Sequence, residues 1–261
     1  MRKNGFTLVE LLVIVAIVTI MASIIIPNLK RARERQEAEK KNPSGIPAYS
    51  LDLSAVPQSS TAPAPGTVGI LFCIDASGSM GQKIGGKKKI DISKDAMRAV
   101  FRQINAYSRA HPNKKVKVGL CRFSSQSSIV RPLAPFDMKA LEAAVAEIQP
   151  SGNTAIGNAM QMALGELLKS NDETKAILVM TDGENNVGVS PGEVVQGIKK
   201  NSNNRNIMTA GTELYLVAFD VSSSLFAPVK NAGATVMESR DEASLKSIMT
   251  DLVEEVLLEA Q

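Results

Sequence analysis

Two kinds of apolar pattern alternate along the chain after residue 67. Near-continuous apolar runs of strand length cover 68–75, 116–123, 176–181 and 213–220, with shorter ones at 128–132 and 235–238. Between them, apolar residues recur every three or four positions over 92–110, 138–148, 156–169, 192–200, 225–231 and 242–259, the spacing of one helix face. This alternation predicts an α/β domain: a doubly wound, mostly parallel six-stranded sheet with helices on both faces. The run at 128–132 follows 116–123 after a short loop, which suits an antiparallel edge strand. Sheets of this kind bind ligands outside the carboxyl ends of their strands, where the strand order reverses.

The first forty residues follow another rule. A short basic leader, residues 1–5, precedes an apolar segment that contains one acid, Glu10, before Pro27. Counted from Phe6 the segment has about 21 residues, enough for a helix to cross a bilayer. Lys30, Arg31, Arg33 and Arg35 flank it, so basic residues stand at both ends and charge does not settle its orientation. A carboxylate in such a segment is costly unless paired, which marks Glu10 as functional. The helical pattern runs on to residue 41 and stops at Asn42-Pro43. From 42 to 66, five prolines (Pro43, Pro47, Pro57, Pro63 and Pro65) interspersed with Ser and Ala make a semi-extended linker.

Charge sharpens the division. The whole chain carries a formal +4, and the first 41 residues account for all of it. The remainder is balanced. With no basic face on the main domain and no Trp to stack on bases, a nucleic-acid partner is excluded. Cys73 and Cys121 lie on two strand-like runs and read as buried thiols on neighbouring strands; a disulfide stays open if the domain is exported.

Candidate chemistry gathers at the predicted strand ends. The run 68–75 ends on Asp75, followed at once by two hydroxyls in Asp75-Ala-Ser77-Gly-Ser79. The run 176–181 leads into Asp182, and the small-residue loop Ser151-Gly-Asn-Thr154 opens a helix between them. Asp75, Ser77, Ser79, Thr154 and Asp182 would then bring five oxygen donors from three loops to one sheet edge. Hard divalent cations take such donors. Other signals are weaker. The stretch from Gly81 to Lys88 nearly spells a phosphate-binding loop, but Lys88 stands where the metal-binding hydroxyl belongs. Its lysines, Lys83, Lys87, Lys88 and Lys89, read either as plain solvated charge or as steering for an acidic partner. His111, the only histidine, sits in a polar turn with no nucleophile motif, so no enzyme activity is expected.

Two resemblances join these observations. Gly5-Phe6-Thr7-Leu8-Val9-Glu10-Leu11-Leu12 resembles the class III signal of type IV prepilins and pseudopilins. That resemblance implies cleavage after Gly5 by a prepilin peptidase, N-methylation of the new Phe6 amine, and pairing of Glu10 with the terminal amine of a neighbouring pilin during filament assembly. Residues 67–261 resemble the von Willebrand factor type A domain and match its metal-ion-dependent adhesion site at Asp75, Ser77, Ser79, Thr154 and Asp182. That resemblance implies a Rossmann-like fold with hydroxyl ligands from Ser77, Ser79 and Thr154 and charge balance from the two acids. Octahedral Mg²⁺ would retain waters that a partner's carboxylate could replace, and Mn²⁺ or Ca²⁺ would serve as well.

The domain plan is therefore a leader at 1–5, a pilin-type helix at 6–41 in the inner membrane and then the filament core, a linker at 42–66, and a type A domain at 67–261. The expected product is a minor pilin-like adhesin, a bacterial inner-membrane prepilin that becomes extracellular on a pilus and grips an acidic protein ligand. The alternative is a structural or priming pseudopilin of a pilus or type II secretion system whose type A domain binds another machine component. A folded domain of about 195 residues has a radius of gyration of roughly 16 Å. That is wide against helices packed side by side, which favours the filament tip or sparse positions. A buried cation and anion are each costly alone and tolerable together. Glu10→Ala is therefore expected to abolish incorporation into filaments, scored by immunoblotting sheared pili, while the type A domain still folds.

Overall fold

The computed structural model describes residues 62–202 and 212–259. The expected helix over 6–41, with Gly5, Phe6 and Glu10, lies outside the described residues, among which no helix is long and apolar enough to cross a membrane. The described chain runs β1 (Ala64–Asp75), a 3₁₀ turn (Gly78–Gly81), β2 (Lys83–Ile84), β3 (Lys87–Lys88), α1 (Lys89–Ala110), β4 (Lys115–Phe123), β5 (Ser127–Pro135), α2 (Met138–Ala146), α3 (Ile156–Leu167) and β6 (Asp172–Thr181). It continues through α4 (Pro191–Ser202), β7 (Thr212–Phe219), a second 3₁₀ turn (Ser223–Phe226), α5 (Ala227–Asn231), β8 (Thr235–Ser239) and α6 (Glu242–Glu259).

Six strands form one sheet in the order β5-β4-β1-β6-β7-β8. Every pairing is parallel except β4 with β5, which places the antiparallel strand at the edge as its short connection requires. After β1 the chain adds β4 on one side, and later β6 on the other. Strand order therefore reverses beside β1 and β6, and their carboxyl ends flank the crevice.

β1 is apolar from Val68 to Ile74 because both of its faces are covered. Val68, Ile70, Phe72 and Ile74 point into a core shared with α1 and α6, where Met97, Val100, Phe101, Met249 and Val253 are buried. Phe72 meets Phe101 edge to face, with ring centroids 6.2 Å apart. On the other face, the Cys73 thiol approaches the Ala159 carbonyl of α3 at 3.8 Å. Cys73 and Cys121 are register partners on β1 and β4, both buried and both free thiols. Burial pushes the Cys73 thiol well above its usual pKa, with the neighbouring Cys121 adding to the shift.

Pairing begins at Ala64, inside the stretch read as linker. Ala64 N–H donates to the Asn171 carbonyl at 2.9 Å, and Gly66 N–H to Glu173 Oε2 at 2.7 Å. Pro65 is accommodated where the β1–β6 register is irregular, between Ala64 and Val68. The near-phosphate loop is a hairpin: Lys83 pairs with Lys88 and Ile84 with Lys87 across Gly85 and Gly86. Those two glycines have φ of 57° and 86°, as a two-residue turn with both centres left-handed demands. They turn the chain rather than cradle a phosphate. The segment read as one helix at 225–231 is the second 3₁₀ turn followed by α5, with Pro228 in the first turn of α5.

The start of α3 lies tight against the loop that follows β6. A β-carbon added at Gly157 would come within 2.0 Å of the Val189 carbonyl oxygen, and Gly157 N–H donates to Asn185 Oδ1 at 3.2 Å. A backbone neighbour cannot swing aside as a side chain can. Gly157→Ala is expected to cost about 1–3 kcal/mol, measured by denaturant unfolding, and to displace the loop over 183–190.

Candidate metal centre

The five oxygen-bearing residues identified in the sequence stand at the carboxyl ends of β1 and β6 and at the mouth of α3. Asp75 closes β1 and is fully buried. Its Oδ1 accepts from Ser77 N–H at 2.7 Å, which tightens the turn, and its Oδ2 accepts from Thr181 Oγ1 at 2.6 Å. Ser77 Oγ lies 3.0 Å from Ser79 Oγ, and Ser79 Oγ donates to Asp182 Oδ1 at 2.6 Å. Thr154 is buried, and its Oγ1 faces Gly183, where an added β-carbon would lie 3.9 Å away.

Backbone hydrogen bonds lock the loops together. Gly78 N–H donates to the Gly152 carbonyl at 2.9 Å, and Ser151 N–H to the Ala76 carbonyl at 2.7 Å. Asn186 clasps Thr154 from both sides: Thr154 N–H donates to Asn186 Oδ1 at 2.9 Å, and Asn186 N–H to the Thr154 carbonyl at 3.0 Å. Gly152, at φ 75°, packs so closely on Ser125 that a β-carbon would fall 2.5 Å from its Oγ. Thr181, Asn186 and Ser125 therefore hold the donor loops in place, and none of them was singled out as a site residue from the sequence. Thr181 carried a signal, standing just before Asp182; the asparagine and the serine are placed only by tertiary contact.

Burial pushes the Asp75 carboxyl up to about 6, although hydrogen bonds from Thr181 and Ser77 pull it down; the Asp182 charge adds to the rise. A buried acid raised in this way, beside a chain of hydroxyls, fits a cation that would favour its ionised form. Two carboxylates and three hydroxyls suit a hard divalent ion better than a soft one.

The lysine-rich run is not uniformly solvated. Lys83 and Lys88 are exposed, whereas Lys87 pairs with Asp95 and with Glu242, the latter at 3.1 Å. Lys89 turns inward. Its ammonium lies 2.9 Å from Asp182 Oδ2 and 2.9 Å from Asp220 Oδ2, with only 6% of the side chain exposed. Burial opposes its charge, but hydrogen bonds to Asp220 and Asp182 outweigh that and leave its pKa above the usual lysine value. Asp220 follows β7 rather than ending it, and it is the only non-glycine with positive φ among the described residues, at 57°.

Asp220-Val-Ser222-Ser-Ser224 repeats the spelling of the first metal-type loop and is also followed by a 3₁₀ turn. Ser222 Oγ and Ser224 Oγ lie 2.8 Å apart, much like Ser77 and Ser79. The surroundings differ. Asp220 meets Lys89, and Ser223 donates to Glu238 through both its N–H and its Oγ at 2.9 and 3.0 Å.

Residues 70–184 match the family model for the von Willebrand factor type A domain, and residues 1–26 match that for the prokaryotic N-terminal methylation motif. The chain thus joins a prepilin-type N-terminus to a type A domain, the class that its fold and N-terminal sequence define. It is 27% identical over 139 residues to the uncharacterized protein YwmD of Bacillus subtilis, covering 51% of this chain and 61% of that one. It is 58% identical over 34 residues to the type IV wide pilus major component PilA4 of Thermus thermophilus, covering 13% of this chain and 26% of that one. The chain therefore spans less than two thirds of either curated relative. Among solved structures, the PilB minor pilin from Streptococcus sanguinis superposes with a TM-score of 0.60 at 13% identity, over 77% of this chain and 64% of that one. Proximal thread matrix protein 1 from the mussel byssus, with a zinc-occupied adhesion site, gives a TM-score of 0.57 at 19% identity, over 74% of this chain and 46% of that one. These similarities show the shared fold.

Because its folded pKa lies above the ordinary carboxylate value, Asp75 without a cation favours folding below about pH 4, and this contribution is lost as the pH rises through about 6. In chelator-treated protein, Asp75→Asn is therefore expected to be more stable than wild type at pH 7.5. Thermal melting should show that advantage shrinking as the pH falls through about 6 and disappearing only below about pH 4.

Proposed function

We propose that this type IV pilin-like chain is a minor pilin that displays its type A domain on a filament and captures a carboxylate of a protein ligand at a divalent cation. The observation that carries this reading is the hydrogen-bonded series Ser77–Ser79–Asp182, beside buried Asp75, at the crevice between β1 and β6. Asp75, Ser77, Ser79, Thr154 and Asp182 would hold the ion, with Mg²⁺ the expected occupant and Mn²⁺ or Ca²⁺ able to replace it. When bound, the cation supplies a Lewis-acidic position for an incoming carboxylate oxygen. The chain's own residues orient the donors: Thr181 holds Asp75, Asn186 holds Thr154, and the Gly78–Gly152 bond keeps two of the loops in register.

The methylation motif supports the rest of the assignment. It implies processing by a prepilin peptidase after Gly5, methylation of Phe6, residence in the inner membrane as a prepilin, and assembly with other pilins through Glu10. The type A domain adds a binding function rather than catalysis.

The test uses the full chain solubilised in detergent. With Mg²⁺ present it is expected to bind an external protein surface, and chelation or Asp75→Ala should reduce that binding at least about tenfold, the scale on which metal-site residues act. Metal-dependent capture of co-encoded pilus proteins alone would favour the priming pseudopilin instead. Binding that is indifferent to chelation would overturn both readings.

A further inference from the structure

Lys89 carries positive charge into the region where the five-residue site would hold a cation. Its position follows from the fold: the hairpin of β2 and β3 ends at Lys88, and α1 begins with Lys89 over the carboxyl ends of β6 and β7. The ammonium is shared between Asp182 and Asp220 at 2.9 Å each. Asp182 Oδ1 meanwhile accepts from Ser79 Oγ at 2.6 Å. Both oxygens of Asp182 thus have partners, and one of those partners is a full positive charge.

This matters for what a bound cation could attract. Two free carboxylates would cancel a dication and leave it little pull on a third. When one of them is already paired with an ammonium, the ion is balanced mainly by Asp75 and keeps net positive charge. Low exposure makes the difference large, because charges there are poorly screened.

We propose that Lys89 is a positioning residue that sets the charge of the metal site. By holding Asp182 in a salt bridge it keeps a cation bound at Asp75 and the three hydroxyls electropositive enough to take up a partner's carboxylate. Asp220 is the counterweight, drawing part of the ammonium away from Asp182. The strained backbone at Asp220 suits this role, since its positive φ accompanies a carboxylate that meets Lys89. The second Asp-x-Ser-x-Ser is then an anchor for the lysine. The proposal rests on the reading of the five residues as a divalent-cation site.

The two sides of the lysine give opposite signs, which a purely structural ion pair would not. The full chain in detergent is stripped of metal and titrated with Mn²⁺, followed by water-proton relaxation. The Mn²⁺-loaded protein is then titrated with acetate as the carboxylate probe. Lys89→Met is expected to bind Mn²⁺ about tenfold more tightly and acetate about tenfold more weakly, the scale on which partners of ligating groups tune a site. Asp220→Asn is expected to move both affinities the other way, with weaker Mn²⁺ and stronger acetate binding. Lys83→Met, which removes an exposed lysine of the hairpin, should change either by less than about twofold because that charge is screened.

Melting curves establish that each variant is folded. If Lys89→Met does not fold, Asp220→Asn decides, its side chain being 41% exposed. Mn²⁺ and acetate affinities that fall together in a folded variant, or that do not move, overturn the role of Lys89 while leaving the metal site intact. A wild-type chain that binds no Mn²⁺ overturns the proposal and the metal-site reading together.

Discussion

β1 is hydrogen-bonded in parallel to β4 on one side and to β6 on the other, and helices cover both of its faces. From Val68 to Asp75 its backbone groups are therefore satisfied by the neighbouring strands, and its side chains have nowhere to go but into apolar packing. Ladder and cover both end at Asp75. The carboxylate there is the first strong polar group after seven buried positions, Val68 to Ile74, and the chain must turn immediately. Because strand order reverses beside this strand, the turn after Asp75, the turn after Thr181 and the mouth of α3 crowd into one crevice. The site is a consequence of that crowding.

Crowding acids into a buried crevice creates an electrostatic problem. Asp75 is wholly buried and its carboxyl is raised to about 6, so its ionised form is disfavoured without a compensating charge. Asp182, equally sequestered, is compensated from within the chain by Lys89. The two acids thus have different partners despite their symmetrical appearance at neighbouring strand ends. One is held by a hydroxyl and an amide and stays available to a cation. The other is already partly neutralised. A residue outside the five-residue motif therefore governs how the motif balances charge.

The same charge logic governs the N-terminal segment as proposed, where Glu10 in an apolar run needs an amine from a neighbouring subunit. In both places a lone buried charge is costly and a paired one is tolerated. The type A domain would make a cation the pair for its acid, and the filament would make a second pilin the pair for Glu10.

Much of the fold was legible because strand and helix periods are local. The runs at 68–75, 116–123 and 176–181 differ from the observed strands mainly at their starting residues, where β1 extends back to Ala64 through a register irregularity that a proline-rich composition hides. Gly85 and Gly86 misled as part of a phosphate-loop spelling, since a glycine pair serves a tight hairpin equally well. The five candidate ligands were legible because each follows a recognisable strand end or opens a helix. Their supports were not: Asn186 reaches Thr154 across 32 residues of chain, and no local pattern marks it.

By itself, the sequence determined the alternation of strands and helices, the separate apolar N-terminus, and the residues able to donate oxygen at the strand ends. The local spelling alone did not distinguish Asp75-Ala-Ser77-Gly-Ser79 from Asp220-Val-Ser222-Ser-Ser224, which share it. The tertiary structure did, by placing β1 in the middle of the sheet beside β6, with its acid buried, and β7 one strand further out, with its acid turned by a positive φ onto Lys89. The physical reason is that a carboxylate's role depends on which charges and donors surround it, and those arrive from segments about a hundred residues away through strand order.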